Sequence, residues 1–192
     1  MAITKLSDSS ITTGDKYISM LAGNSAYMPP SYESIATTTV GAGGASNIEF
    51  TSIPATYTHL QIRAFTIGTL QSYYYIRSNS DTGSNYAFHQ LTGDGASVSV
   101  EAGTSTAVMF AGQGSASSTA GAVSVVDVLD YSNANKYKTF RTLTGYDRNG
   151  IGGVWLRSGL WMNTNAINTL TLVTNNTFAE YSSFALYGIK GA

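Results

Sequence analysis

The residues of this chain that can do chemistry are few and scattered. Asp81-Thr82-Gly83 has the form of the catalytic tripeptide of aspartic proteases. That reaction needs two carboxylates sharing one proton, and no second such tripeptide occurs. Inside the polar run Ser78-Asn79-Ser80-Asp81-Thr82-Gly83, an Asp two residues before a Gly makes a turn. Asn79, Asp81 and Asn85 alternate as the oxygen ligands of a calcium loop do, but one carboxylate carries too little charge for tight binding. His59 and His89 are the two histidines and Cys is absent. With no partner at ligand spacing, no zinc site is expected. No nucleophile elbow, P-loop or dinucleotide fingerprint is present. Asp127 lies in an apolar run, 123–129, with Asp130 just beyond it. A glycosidase acid there needs a facing carboxylate, and none is identifiable. A carboxylate in an apolar strand needs a partner, so an ion pair with Arg141 or Lys138 on the next strand, or exposure at an edge, is the expectation. The chain reads as a non-enzyme, with no cofactor and no metal.

The aromatic residues are the stronger signal. Tyr73-Tyr74-Tyr75 puts two rings on one face of a strand and one on the other. Trp155 and Trp161, six residues apart, fall on the same side of their strand and read as core or as a subunit interface. Exposed Tyr and Trp rings also stack on sugars, so a glycan platform is the second reading. Asn175-Asn176-Thr177 fits a glycosylation sequon and is expected to be a hairpin turn.

Strands must position these side chains. Apolar residues alternate with polar ones over 34–40, 47–53, 59–67, 73–77, 86–91, 97–100, 106–110, 122–129, 136–144, 154–160, 168–174 and 183–189. Clusters of Gly, Asn, Asp and Ser separate them, and 112–121 reads as an exposed small-residue loop. Short strands at turn-punctuated spacing predict an all-β, antiparallel, jelly-roll-like β-sandwich over residues 34–192. Composition agrees. Of 192 residues, 80 are Gly, Ser, Thr or Asn, and only 11% are charged. Long helix formers are therefore scarce. A net charge of −1 argues against nucleic acid as a partner, and no apolar run approaches the roughly 18 residues of a membrane span. The start of the chain lacks the apolar core of a secretory signal, so synthesis and folding in a cytosol are expected.

Residues 1–33 lack the alternation. Residues 15–22 predict a short helix with Thr13 at its start, Gly23 at its end and Tyr17, Met20 and Leu21 on one face. Tyr27-Met28-Pro29-Pro30-Ser31-Tyr32 reads as an extended polyproline-like stretch. Tyr17, Met20, Leu21, Tyr27, Met28 and Tyr32 are too many large side chains for so short a segment to bury within itself, so residues 1–33 read either as a segment packed back onto its own domain or, the favoured reading, as an arm that docks on another subunit.

Several phrases of the chain resemble a widespread group of bacteriophage virion proteins. They are Pro29-Pro30-Ser31-Tyr32-Glu33-Ser34-Ile35-Ala36-Thr37, then Ser52-Ile53-Pro54-Ala55-Thr56-Tyr57-Thr58-His59-Leu60-Gln61-Ile62-Arg63, then Leu129-Asp130-Tyr131-Ser132-Asn133, then Ser158-Gly159-Leu160-Trp161-Met162-Asn163, and the ending Phe184-Ala185-Leu186-Tyr187-Gly188-Ile189-Lys190-Gly191. The resemblance covers roughly residues 29–191. It implies a structural component of the virion, of the tail-fibre or capsid-decoration type, often a homotrimer, located in the virion and docked there by its N-terminal arm. Its partners would be other virion proteins and copies of itself. A module that binds host surface glycan is the alternative, and a depolymerase with a carboxylate pair in a groove comes third.

Overall fold

β-Branched and aromatic side chains at every second position favour a pleated chain with one face buried, and turn residues cut the described residues into eleven strands. The structure is a computed structural model that describes residues 31–68 and 72–191. Its strands, in chain order, are β1 (Tyr32–Thr39), β2 (Ala45–Phe50), β3 (His59–Gly68), β4 (Ser72–Ser78), β5 (Tyr86–Gly93), β6 (Val98–Thr106), β7 (Met109–Leu129), β8 (Lys138–Asp147), β9 (Gly152–Trp161), β10 (Leu170–Phe178) and β11 (Ser183–Ile189). Every pairing is antiparallel. The fold is all-β, as expected, and Tyr32–Ala192 holds together as one unit.

Two layers result. The larger runs β1-β11-β3-β7-β8-β9-β5-β6, and the smaller runs β2-β10-β4-β7. β7 belongs to both. Its first part, from Met109 to Gly114, pairs with β4. Its last part, from Val123 to Leu129, lies between β3 and β8. The core fills the space between the layers. Leu60, Ile62, Val126, Val128, Phe140, Trp161, Phe184 and Leu186 of the larger sheet meet Ile48, Phe50, Tyr74, Ile76, Met109, Leu170 and Leu172 of the smaller. The two tryptophans lie on this inner face, so their core reading holds.

Three expectations change. The small-residue run 112–121 is not a loop but the middle of β7. Rings lie on the glycines at its two ends. A Cβ on Gly112 would sit 2.2 Å from the Tyr74 ring, and one on Gly121 would sit 2.3 Å from Phe65. Asn175, Asn176 and Thr177 belong to strand β10 and not to a turn, and the Asn175 side chain accepts the Tyr73 N–H at 3.0 Å. Tyr32 and Glu33, expected in the arm, open β1. Tyr32 pairs with Ile189, and its ring meets Tyr187 edge-on. The Glu33 carboxylate takes the Tyr57 hydroxyl at 2.9 Å and Lys190 at 2.5 Å. Those bonds tie β1 into the sheet.

One hairpin follows from two residues. Asn149 and Gly150 have φ of 57° and 98°, the left-handed pair of a tight turn. Arg148 N–H closes it on the Ile151 carbonyl at 2.9 Å. That turn sets β8 against β9 in register.

Gly112→Ala is expected to destabilise the fold by about 1–3 kcal/mol, because Tyr74 is buried and its ring has nowhere to go. Urea unfolding of the two proteins measures it, and an unchanged midpoint contradicts the packing described for β7.

Candidate interaction face

The outer surface of the larger sheet is where an ordinary soluble domain would be polar. Here it is apolar. The strand registers bring side chains abreast in rows. One row reads Phe65, Val123, Gly145, Val154, Gly93 and Val98 across β3, β7, β8, β9, β5 and β6. The next reads Arg63, Val125, Leu143, Leu156, Leu91 and Val100. Val98 and Val100 are 74% and 80% exposed, and Val123, Leu143, Val154 and Leu156 are each more than half exposed. Single exposed apolar residues are ordinary, but a contiguous patch marks an interaction site.

The face is corrugated. A depression of about 520 Å³ opens among His89, Leu91, Val100, Arg141, Leu156 and Ser158. A second, of about 620 Å³, is floored by glycines, among them Gly93, Gly145 and Gly153, between Val123 and Val154. A third, of about 250 Å³, lies beside Arg63, Phe65 and Val123. A polar row borders the apolar ones: Gln61, Asp127, Arg141, Ser158, His89 and Ala102. Asp127 does face outward beside Arg141, but the expected ion pair is replaced by hydrogen bonds. Gln61 Nε2 donates to Asp127 Oδ1 at 2.8 Å, and Arg141 donates to the Ser158 hydroxyl.

The other chemistry-bearing residues are structural. Lys138 points inward and is fully buried. Its ammonium donates to the carbonyls of Asn133 at 2.5 Å, Lys136 at 2.8 Å and Thr164 at 3.0 Å. Burial holds its pKa below the ordinary lysine value. The Asp81 carboxylate takes Trp161 Nε1–H at 2.7 Å, Asn85 Nδ2 at 2.9 Å and Gly83 N–H at 2.8 Å. Burial alone would raise its pKa, and these three donors together outweigh that and hold it low. The tripeptide is therefore a turn that anchors a core tryptophan. Asn79 Oδ1 is used by the Asn168 and Thr169 amides, which leaves no calcium loop in place. Among the described residues no three His, Asp, Glu or Cys gather as metal ligands. His59 Nδ1 accepts the Asp130 N–H at 3.0 Å, and Asp130 also pairs with Lys136.

Sequence reasoning missed a second cluster, at the edge of the smaller sheet. Tyr73, Phe110 and Tyr75 pack ring against ring, with centroids 5.6 and 4.7 Å apart. The Arg157 guanidinium lies over Phe110 at 5.4 Å, and its Nε donates to Gln90 at 2.6 Å. Arg157 is only 2% exposed, and neither of its Nη atoms has a hydrogen-bond partner among the described residues. Desolvation pulls its pKa down to about 10, so it stays charged at neutral pH. The alternation of β9 placed Arg157 on the inner face. Only the registry of β9 with β5 shows what it touches.

Of the expected arm residues, Tyr17, Met20, Leu21, Tyr27 and Met28 lie outside the described residues, and Tyr32 is in β1. No family model matches the chain, and neither a curated protein nor a solved structure matches it.

Two outcomes follow from the carboxylates. Asp81→Ala leaves the buried Trp161 N–H without an acceptor and is expected to lower stability by about 1–3 kcal/mol in urea unfolding. An equal midpoint would mean that the anchor contributes nothing. Asp94 is also held low, by the Ser97 and Ala96 amides, and Asp130 by Lys136 against opposing burial. Glu33 is held low by Lys190 first and Tyr57 second. A folded-state pKa below the unfolded one contributes stability above the unfolded pKa, lost as pH falls through the folded one. Tm is therefore expected to fall steeply below about pH 4, and a Tm that climbs on acidification contradicts the assignment.

Proposed function

We propose that the protein is a non-enzymatic structural component of a bacteriophage virion, a tail-fibre or capsid-decoration protein whose sandwich assembles with copies of itself and whose N-terminal arm docks on the particle. The observation that carries the reading is the apolar outer face of the larger sheet. Some seven aliphatic side chains stand exposed on it in two adjacent rows, and leaving such surface in water is unfavourable by roughly 25 cal/mol per Å². A particle component that meets its neighbours through this face removes that penalty. The carboxylates support the non-enzymatic part. Asp81 and Asp94 are turn-holding groups with lowered pKa values, the opposite of the raised value that a general acid needs. The resemblance to virion proteins supplies the particle and implies three copies.

A second reading has its own observation. The rings of Tyr73, Tyr75 and Phe110, beside Gln90 and the Arg157 guanidinium, combine apolar faces with donors and acceptors, as saccharide sites do. In that reading the protein is a receptor-recognition module for a host surface glycan. A glycan array separates the two. No bound glycan is expected for a purely structural component, and binding that Tyr73→Ala abolishes in a folded protein favours the second reading.

The structural reading is tested on particles. The full chain is expected to copurify with virions, and a variant starting at residue 31 is expected to keep its thermal unfolding transition and lose incorporation. If that variant is incorporated normally, the arm is not the docking element. If it unfolds, the arm belongs to the domain.

A further inference from the structure

We propose that two copies of the chain pack face to face through the outer surface of the larger sheet, about a twofold axis parallel to the strands and lying between β8 and β9, so that valines of each copy sit over glycines of the other. The proposal rests on the reading that the chain assembles with itself, and it names the surface, the symmetry and the register.

The register comes from the first row. From β7 to β6 it alternates: Val123, Gly145, Val154, Gly93, Val98, with Phe65 of β3 beside Val123. Each valine is a knob and each glycine a hole. A twofold axis parallel to the strands keeps position along the strand and reverses strand order. Placed between β8 and β9, it sets β8 over the partner's β9, β7 over β5 and β3 over β6. Gly145 then faces the partner's Val154, Val123 faces the partner's Gly93, and at the rim Phe65 meets the partner's Val98. Every such contact occurs twice, as an isologous interface requires. The depression of about 620 Å³ around these glycines is the space the knobs enter.

The same operation settles the other rows. Leu143 meets the partner's Leu156, Val125 meets the partner's Leu91, and at the rim Arg63, whose Nε donates to Gln61, meets the partner's Val100. In the polar row, Asp127 meets the partner's His89, an acceptor facing a ring that carries an N–H, and Arg141 meets the partner's Ser158. No like charges meet.

Other placements do worse. A twofold axis across the strands, through the middle row, sets Val123 over the partner's Asp127 and Gly145 over the partner's Arg141, burying charges against apolar surface without partners. Moving the parallel axis one strand toward β7 lays Val98 and Val100 over Thr39 and Thr37 of the partner's β1 and Gly93 over the partner's Ser183, so only Gly145 receives a valine.

The area suffices. Six strands about 4.8 Å apart and three rows about 6.8 Å apart cover about 600 Å² per copy, or about 1,200 Å² in all, the lower end of the range for a specific, stable interface. Sheets packed this way lie about 10 Å apart, with strand directions within about 30°, so twist does not disturb the central contacts. A face-to-face pair closes at two copies, whereas the resemblance implies three.

Sedimentation of the full chain at micromolar concentration, alone and as two variants, tests the pairing. Gly93→Leu fills a hole. Nothing lies within 4 Å of the position its Cβ would take, so the monomer tolerates the change. Leu156→Arg puts a charge opposite the partner's Leu143. The wild-type chain is expected to sediment as a dimer. Both variants are expected to keep its circular dichroism and Tm while weakening association at least about tenfold, or about 1.4 kcal/mol. A wild-type monomer, a wild-type trimer, or a dimer unmoved by both folded variants overturns the pairing. Recovery of the chain from purified particles is scored separately. A monomer recovered from virions sinks the pairing and leaves the virion role standing, while a dimer absent from virions does the reverse.

Discussion

The fold depends on one constraint: a single strand has to serve two sheets. β7 runs 21 residues from Met109 to Leu129. It leaves the edge of the smaller sheet beside β4 and arrives between β3 and β8 in the larger one. Small residues line the crossing: Tyr74 occupies the space that a side chain on Gly112 would fill, Ser72 Oγ that of Gly114, and Phe65 that of Gly121. Register shifts mark the crossing, at Tyr74–Tyr75 against β4 and at Thr66–Gly68 against β3. The two halves of β7 thereby close the sandwich along one side, and the core residues of both sheets come into contact because of it.

Several of the few described charges hold the structure together. Lys138 draws two carbonyls of the loop between β7 and β8 and the Thr164 carbonyl onto one ammonium. Asp81 fixes the indole of Trp161, which in turn stacks on Tyr86. The Tyr86 hydroxyl takes the Ser78 N–H at 2.9 Å, and burial pushes its pKa up to about 12, so the ring stays neutral and able to donate. Glu33 clasps Tyr57 and Lys190, which joins the start of β1 to the end of the chain. The same carboxylates, held ionised by donors, are poor proton donors near neutral pH.

Two surfaces of the sandwich differ in character. The outer face of the larger sheet is aliphatic and ridged, with glycines between valines. The edge of the smaller sheet is aromatic, with Tyr73, Tyr75 and Phe110 packed beside the Arg157 guanidinium that β9 of the larger sheet supplies.

Much of this was legible in the sequence. Period-two alternation places Leu60, Ile62 and Ala64 on the inner face and Arg63 and Phe65 on the outer one, because pleating leaves no other choice. Asn149-Gly150 makes a hairpin turn because both residues tolerate positive φ. Asp81 reads as a turn residue for the same local reason, and Trp155 and Trp161 share a face by parity. Tertiary structure decided what depends on registry between distant strands. Residues 112–121 look like a loop until Tyr74 and Phe65, 38 and more positions away in the chain, are laid across Gly112 and Gly121. Asp127 finds Gln61 where a neighbouring cation was expected, because β3 lies beside it and offers an amide at 2.8 Å. The alternation of Val123, Gly145, Val154, Gly93 and Val98 exists in no stretch of sequence. Five strands contribute one residue each, and only their hydrogen-bond ladders bring those residues into line.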